Sequence, residues 1–156
     1  MYCAKIMNAR PITILHGTET GNAEDLANQI LDKAKEKNID ASLVGAMDFS
    51  TSDLSDVQRL IVVISTWGEG DPPSEAEEFC EDLFEGEHDL SHMDFTVCAL
   101  GDTGYEIFCG CGKKVDESLE KHGATRFLDR VDLDVDFDDD FEKWSEKLFD
   151  LLDQAK

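Results

Sequence analysis

The sequence predicts a three-layer α/β fold in which helices cover both faces of a five-stranded parallel sheet. Two observations support this prediction: short apolar segments alternate with amphipathic ones along the chain, and the segment Arg59–Ser65 is apolar on both faces. A strand of that kind is typical of the centre of a parallel sheet, because helices cover it on both sides. With 156 residues, 41% of them hydrophobic, the chain can form one domain whose core needs no metal or disulfide.

Five segments are predicted as strands because they are short, rich in apolar residues and bounded by turn-forming residues. They are Pro11–His16, Ala41–Gly45, Arg59–Ser65, Phe95–Leu100 and Arg126–Val131. Gly17 follows the first segment and Gly101 the fourth, and glycine permits a tight turn at each place.

Four helices are predicted from apolar residues that recur at helical spacing. The first spans Asn22–Lys37, and the second begins with Ser74–Glu77, which has the form of a capping box. The third ends near Gly123, and the last runs over Phe141–Leu151. Because the helices alternate with the strands, the order of elements favours a parallel sheet.

The composition restricts the class of protein. A balance of 14 basic against 36 acidic residues gives a net charge of −22, which argues against nucleic acids and anionic membranes as partners. No apolar segment approaches the ~20 residues of a membrane helix, and the N-terminus lacks the apolar core of a signal peptide. The 5 cysteines suit free thiols in a reducing compartment. We expect an acidic, cytoplasmic monomer with a loose tail (residues 1–10) and one domain (residues 11–156).

A loop rich in glycine and threonine connects the first strand to the first helix. Its sequence is Gly17-Thr18-Glu19-Thr20-Gly21-Asn22-Ala23. Glycines allow a tight turn with inward N–H groups, and the helix N-terminus adds partial positive charge, so the loop can hold an anion. On these residues alone, a helix cap without a ligand is the alternative.

Two other kinds of phosphate site are excluded by what this loop lacks. It contains no Gly-Lys-Ser/Thr motif, so it is not the phosphate loop of an NTPase, and no G-x-G-x-x-G dinucleotide motif is present. Glu19, Glu24 and Asp25 would repel a phosphate. Neutral donors in a pre-formed cradle must therefore outweigh this repulsion.

Two aromatic residues follow the ends of the third and fourth predicted strands. They are Trp67 and Tyr105, each in a glycine-rich loop. At the ligand edge of a parallel sheet such residues have little core to fill and are suited to stack on a planar ring. Both together, beside an anion-binding loop, form a more specific pattern than either alone.

Three segments resemble the motifs of one family. Thr18–Ala23 resembles the phosphate signature of flavodoxins, while Ser65–Pro73 and Leu100–Cys109 resemble the two flavin loops of diflavin reductases. The likeness is greatest to the FMN domains of sulfite reductase flavoproteins and cytochrome reductases. Val131–Asp136 is similar to the exit of their fifth strand, and no long insertion interrupts residues 124–132, as in the short-chain type.

The resemblance implies a flavodoxin-like sandwich with strand order 2-1-3-4-5, FMN as cofactor, and one-electron transfer without substrate chemistry of its own. Trp67 and Tyr105 would lie on opposite faces of the isoalloxazine ring, and the Gly68 peptide would turn to hydrogen-bond the reduced ring. The implied cofactor-binding residues are Thr18, Glu19, Thr20, Gly21, Asn22, Ala23, Ser65, Thr66, Trp67, Gly68, Leu100, Gly101, Asp102, Thr103, Gly104, Tyr105, Glu106, Ile107, Phe108, Cys109 and Asp132.

The resemblance also implies partners, namely an NADPH-dependent flavodoxin reductase as electron donor and a haem or iron–sulfur protein as acceptor. The acidic residues around the proposed flavin edge would dock these proteins as basic partners. Three positions depart from the family pattern: His16 replaces an aromatic residue, Gly104 a serine or threonine, and Ala23 a residue with a hydroxyl group.

Other interpretations compete with this one. A receiver-type signalling domain shares the architecture, but Ser65 and Asp132 stand where it needs a phospho-accepting Asp and a Lys. An interaction or maturation module without flavin is a second alternative. The alternating aspartates from Asp132 to Asp138 lack the Gly and the closing Glu of a calcium loop. Cys109–Cys111 has the wrong spacing for a redox pair, and we expect it to provide small-residue packing at a helix start.

Overall fold

All strands of the described chain lie in one parallel sheet. The computed structural model describes residues 11–18, 21–66, 70–102, 104 and 109–154. Its strands are β1 (Ile12–Gly17), β2 (Ala41–Gly45), β3 (Arg59–Ser65), β4 (Asp94–Leu100), β5 (Thr125–Arg126) and β6 (Val131–Leu133). They are ordered β2-β1-β3-β4-β5, with β6 also paired to β4. The predicted parallel sheet and its order 2-1-3-4-5 are confirmed.

The fifth strand differs from the prediction, which placed one strand over Arg126–Val131. The structure has two short strands there: β5 pairs with the start of β4 and β6 pairs with its end. Between them the chain leaves regular pairing, and Thr96 Oγ1 donates to the carbonyl oxygen of Leu128 at 2.9 Å. Arg130, in this interval, forms ion pairs with side chains on both sides of it. The predicted single strand is therefore interrupted at residues 127–130.

Four α-helices of the described chain flank the sheet. They are α1 (Asn22–Glu36), α2 (Glu77–Glu85), α3 (Gly110–Lys121) and α4 (Asp138–Gln154). Short 3-10 turns cover Ala46–Asp48 and Thr51–Asp56 between β2 and β3, and Ser74–Ala76 before α2.

The predicted capping box at Ser74–Glu77 is wrong. Ser74–Ala76 forms its own 3-10 turn, so α2 begins one residue after it, with Ala76 as N-cap and no capping side-chain hydrogen bond. A capping box does occur in the turn Thr51–Asp56, where Ser50 and Asp53 exchange side-chain and backbone hydrogen bonds.

The core lies on both faces of the sheet, as expected from the apolar character of β3. Leu60, Val62 and Ile64 belong to a buried cluster with α2 and α3, whereas Ile61 and Val63 belong to a second cluster with α1 and α4. Alternate residues of one strand thus face opposite layers. The result is the predicted three-layer sandwich.

Further sequence predictions concern the cysteines and the chain ends. Cys80, Cys98, Cys109 and Cys111 are free and buried, as predicted for those four. The tail (residues 1–10) lies outside the described residues, so the domain bounds 11–156 stay a prediction. No helix in the described ranges is long and apolar enough to cross a membrane.

Candidate functional site

The carboxyl ends of four strands meet at one edge of the sheet. In the register, Gly17 lies beside Ile64, Ser65 beside Leu100, and Leu100 beside Leu133. The loops that follow β1, β3 and β4, and the chain that follows β6, therefore leave the sheet as neighbours. This is the edge where open α/β sheets bind ligands.

The loop between β1 and α1 ends in a helix N-terminus suited to an anion. Gly21 has φ of 98°, a left-handed conformation that favours glycine, and it is the N-cap of α1 without a capping side chain. Its N–H donates to Thr18 Oγ1 at 2.7 Å, which closes the loop on itself. The first-turn N–H groups of a helix have no intrahelical partner, so they can bind an anion. Ala23 is buried and has no polar side-chain atom, so any contact with an anion would be through its backbone N–H.

A carboxylate reaches this loop from a distant part of the chain. Glu75 Oε1 accepts from the Thr18 N–H at 2.6 Å and lies 3.6 Å from His16 Nδ1. The two segments also pack closely at Gly17, where an added Cβ would lie only 2.9 Å from the Cβ of Ala76. Sequence reasoning missed this contact and placed Glu75 within a predicted capping box. A separation of 57 residues left no signal in the local pattern.

The loop after β3 is tied to both of its neighbours by Thr66. Its N–H donates to the Leu100 carbonyl oxygen at 3.0 Å, and its Oγ1 accepts from the Cys111 N–H at 3.3 Å. Ser65, the last residue of β3, is buried. Trp67 and Gly68, which were predicted to contact the flavin, lie outside the described residues.

The loop after β4 is fixed at its start by two hydrogen bonds. The Gly101 N–H donates to the Leu133 carbonyl oxygen at 2.8 Å, and Asp102 Oδ1 accepts from the Gly104 N–H at 2.7 Å. A Cβ at Gly104 would lie 3.0 Å from Asp102 Oδ1, so a larger residue here would require the Asp102 side chain to shift. The other predicted residues of this loop lie outside the described residues; they are Thr103, Tyr105, Glu106, Ile107 and Phe108. The same holds for Glu19 and Thr20 of the phosphate loop.

Cys109 forms the N-cap of α3 with a left-handed φ of 54°. Its side chain is fully buried, and its Sγ lies 3.7 Å from the carbonyl oxygens of both Ala99 and Leu133. Burial, together with the nearby charge of Asp132, raises the pKa of Cys109 to about 12. The thiol therefore faces the core.

The packing predicted for the small residues that follow Cys109 is observed. Cys111 and Gly112 are buried in the first turn of α3, and a Cβ at Gly112 would lie only 2.2 Å from the Cβ of Ala99. The backbone of the helix thus lies directly against β4.

Asp132, on β6, belongs to an ion-pair network. Arg130 Nε lies 2.8 Å from Asp132 Oδ1, and Arg130 Nη1 lies 2.8 Å from Asp116 Oδ2. Asp116 also pairs with Arg126 at 2.8 Å. The predicted cofactor contact is therefore held by an arginine that is itself anchored to a buried carboxylate on α3.

An acidic cleft of about 400 Å³ is linked to the phosphate loop by Glu75, which lines the cleft and accepts from the Thr18 N–H. Its lining includes apolar side chains and carboxylates: Met47, Phe49, Phe79, Glu75, Glu78 and Asp82. Met47 is 73% exposed, which is unusual for a large apolar side chain.

The family model for flavodoxin matches residues 14–144. The chain belongs to the flavodoxin family. Its described residues also fit the phosphate end of FMN, since an uncapped helix N-terminus and a left-handed glycine face the shared edge of the sheet. This flavodoxin is an FMN-binding electron carrier, as the motifs predict.

Curated relatives and solved structures agree with this assignment. The chain is 35% identical over 146 residues to the sulfite reductase [NADPH] flavoprotein alpha-component of Buchnera aphidicola, covering 93% of this chain and 24% of the relative. It is 36% identical over 148 residues to the same component of Bacillus subtilis, covering 94% and 24%. The chain thus spans about a quarter of the length of these relatives.

Two solved flavodoxins share the fold. The flavodoxin of Streptococcus pneumoniae TIGR4 superposes with a TM-score of 0.80 at 26% identity, covering 92% of this chain and 98% of that one. A short-chain flavodoxin associated with a non-canonical PDU bacterial microcompartment gives a TM-score of 0.81 at 26% identity, covering 94% and 99%. In both cases the alignment covers nearly the whole length of the solved flavodoxin.

Proposed function

We propose that this flavodoxin is a one-electron shuttle between an NADPH-dependent reductase and a haem or iron–sulfur acceptor protein. It would act in the cytoplasm, without substrate chemistry of its own. FMN supplies the redox chemistry when bound, while the protein sets its orientation and exposure. The observation that carries the proposal is the meeting of the phosphate loop and the starts of both flavin loops at one sheet edge.

The predicted site residues that the structure describes would have different roles in the site. Asn22 and Ala23 would bind the phosphate through backbone N–H groups at the start of α1, while Gly21 would shape the turn before them, because its own N–H is bonded to Thr18 Oγ1. Thr66 and Asp102 would hold the two flavin loops, because each already anchors its loop by a hydrogen bond. The stacking of Trp67 and Tyr105 on the ring stays a prediction from the family resemblance.

Basic partners are proposed on the basis of charge. The chain carries a net charge of −22, and carboxylates line the cleft that Glu75 links to the phosphate loop. The relatives are components of an NADPH-dependent sulfite reductase by name, which supports a redox protein as the partner. Complementary charge speeds encounter and gives weak, fast complexes.

The cofactor assignment is tested by the visible spectrum of the purified protein. We expect yellow material that releases FMN on denaturation, and an apoprotein that recovers the spectrum with FMN. A colourless protein that takes up no FMN would support the alternative of a flavin-free module.

The partner assignment is tested by the salt dependence of electron transfer to a basic acceptor such as cytochrome c. We expect the second-order rate to fall steeply as salt rises. Replacing Glu78 and Asp82 in the cleft by their amides should lower the rate and flatten this response. The matched control replaces the exposed Glu142 and Glu146 on α4, in the opposite layer of the fold. Equal effects of the two pairs would show that only net charge matters and would contradict docking at the cleft.

A further inference from the structure

Glu75 joins two segments of the site that are far apart in sequence. The residue belongs to the 3-10 turn Ser74–Ala76, which follows the loop after β3. Its Oε1 accepts from the first N–H group of the phosphate loop, that of Thr18, at 2.6 Å. The Glu75 side chain is 23% exposed, so it is directed mainly into the fold. A residue that docks a partner protein would instead present its carboxylate to solvent.

This contact fixes one end of the phosphate loop, and a second hydrogen bond fixes the other. The Gly21 N–H donates to Thr18 Oγ1 at 2.7 Å. Thr18 is therefore held at its own N–H by Glu75, and it holds the start of α1 through its hydroxyl oxygen. Moving Glu75 would release Thr18, and Thr18 in turn positions Gly21 at the helix N-terminus.

The charge of Glu75 opposes the binding that its position supports. A phosphate at the N-terminus of α1 would face this carboxylate in addition to those of Glu24 and Asp25, in the first turn. Like charges this close repel one another, and low local dielectric strengthens the repulsion. What Glu75 contributes to phosphate binding must therefore be its acceptor oxygen and its packing rather than its charge.

We propose that Glu75 is a positioning residue that holds Thr18, and through it Gly21 at the start of α1, in place before FMN arrives and thereby sets the preference for phosphorylated flavin. This proposal rests on the proposed phosphate site at Thr18–Ala23. Acting at the loop, Glu75 distinguishes FMN from riboflavin, which has the same ring system and no phosphate. Its effect on the ring end of the site is correspondingly small.

The test measures the Kd of the apoprotein for FMN and for riboflavin by quenching of flavin fluorescence. Glu75→Ala removes the acceptor and should weaken FMN binding about tenfold or more, because the Thr18 N–H then loses the partner that holds it in place. Riboflavin binding should change by less than about twofold, since riboflavin has no phosphate group for the loop to bind. Glu75→Gln keeps an acceptor oxygen and removes the charge, so FMN affinity should equal or exceed that of the wild type at low salt.

The matched controls are Glu78→Ala and Glu78→Gln. Glu78 is exposed, lines the same cleft and lies one turn beyond Glu75, so it tests the general effect of removing a charge there. Both variants should leave the ratio of the two Kd values unchanged. If Glu75→Ala lowers the affinity for both flavins alike, if it lowers neither, or if Glu75→Gln is as weak as Glu75→Ala, the proposal is overturned.

A second measurement needs no flavin. In the ¹⁵N-edited NMR spectrum of the apoprotein, a short hydrogen bond to a carboxylate should move the Thr18 amide proton downfield and slow its exchange. Glu75→Ala should abolish both effects, and Glu78→Ala should abolish neither. An unshifted, fast-exchanging Thr18 amide in the wild type would contradict the inference even if FMN binds. Failure of the wild type to bind FMN, with the Thr18 signature present, would contradict the proposed phosphate site instead.

Discussion

Asp116 is a buried carboxylate on α3 that two arginines hold in place. Its side chain is 6% exposed, and its two oxygens lie 2.8 Å from Arg126 Nε and 2.8 Å from Arg130 Nη1. Hydrogen bonding to this carboxylate raises the pKa of Arg126. The network matters beyond α3 because Arg130 continues to Asp132, a predicted FMN contact.

Replacing Asp116 by Asn should destabilise the fold, because it leaves two arginines without their shared anionic partner. Breaking a fully buried pair costs ~3–5 kcal/mol. Because both arginines are partly exposed, we expect a smaller loss, with the free energy of unfolding about 2 kcal/mol below that of the wild type. Urea denaturation of the apoprotein measures this. The control is Glu120→Gln, which removes the 61%-exposed partner of Arg126 and should cost less than ~1 kcal/mol. Equal losses in the two variants would contradict the importance of burial.

The buried thiols predict how stability changes in alkali. Burial raises the pKa of Cys109 from its ordinary value of 9.0 to about 12, and it also raises the pKa of Cys98. The unfolded chain therefore loses these protons at lower pH than the folded chain does. The stabilisation is complete below pH 9 and is lost as the pH rises from 9 towards 12.

We accordingly expect the midpoint of urea denaturation to fall as the pH is raised above 9.0, with a smaller fall in Cys109→Ser. Serine keeps a hydroxyl donor near the two carbonyl oxygens but does not titrate in this range. Other groups that titrate in alkali are common to both proteins, so the difference between them isolates Cys109. Identical slopes for the two proteins would show that burial of this thiol does not contribute.

At the scale of the element, the docking of α3 against β4 depends on one missing side chain. A Cβ at Gly112 would lie 2.2 Å from the Cβ of Ala99, well inside van der Waals contact. Both residues are buried, so neither can move into solvent. Because α3 begins at the loop after β4, displacement of this helix would also move part of the proposed site.

Gly112→Ala should therefore destabilise the protein although alanine favours helix formation. In an exposed helix the change would stabilise by ~1 kcal/mol, whereas overpacking costs ~1–3 kcal/mol. We expect a net loss of about 2 kcal/mol in thermal or urea denaturation. Glu117→Ala, at an exposed position of the same helix, should be close to neutral.

The double variant Ala99→Gly with Gly112→Ala tests the cause of this loss. Removing the Cβ of Ala99 restores space for a methyl group at Gly112. The two changes together should cost less than the sum of their separate effects. Additive costs would mean that the contact between these two residues is not responsible.

At the scale of the whole molecule, the dominant electrostatic property is self-repulsion. The net charge is −22, and the structure describes only a few ion pairs that could offset the repulsion among the carboxylates. Charges of one sign on a compact surface destabilise the folded state, and salt screens them.

We therefore expect the midpoint of thermal unfolding to rise when NaCl is increased from about 20 mM to about 200 mM, over which the Debye length shortens about threefold. An uncharged osmolyte at the same concentration should have a much smaller effect. A midpoint that falls with NaCl would mean that attractive pairs outweigh the repulsion in this fold.

Most of the architecture was predictable because it depends on local order. Helical periodicity located α1, α3 and α4, and the double-sided apolar character of β3 identified the centre of a parallel sheet. Topology then required that the loops after β1, β3 and β4 meet at one edge. The family motifs in those loops predicted FMN as the cofactor.

The tertiary structure alone decided which distant groups come together. The contact of Glu75 with Thr18 crosses 57 residues, and no periodic or spacing pattern encodes such a pair. The ion pair between Arg130, which lies between the two halves of the fifth strand, and Asp116 on α3 is a second such contact. Sequence determines hydrophobic periodicity because burial repeats with the period of each element. It does not display the pairing of single polar groups, since their partners are set by how the finished layers pack.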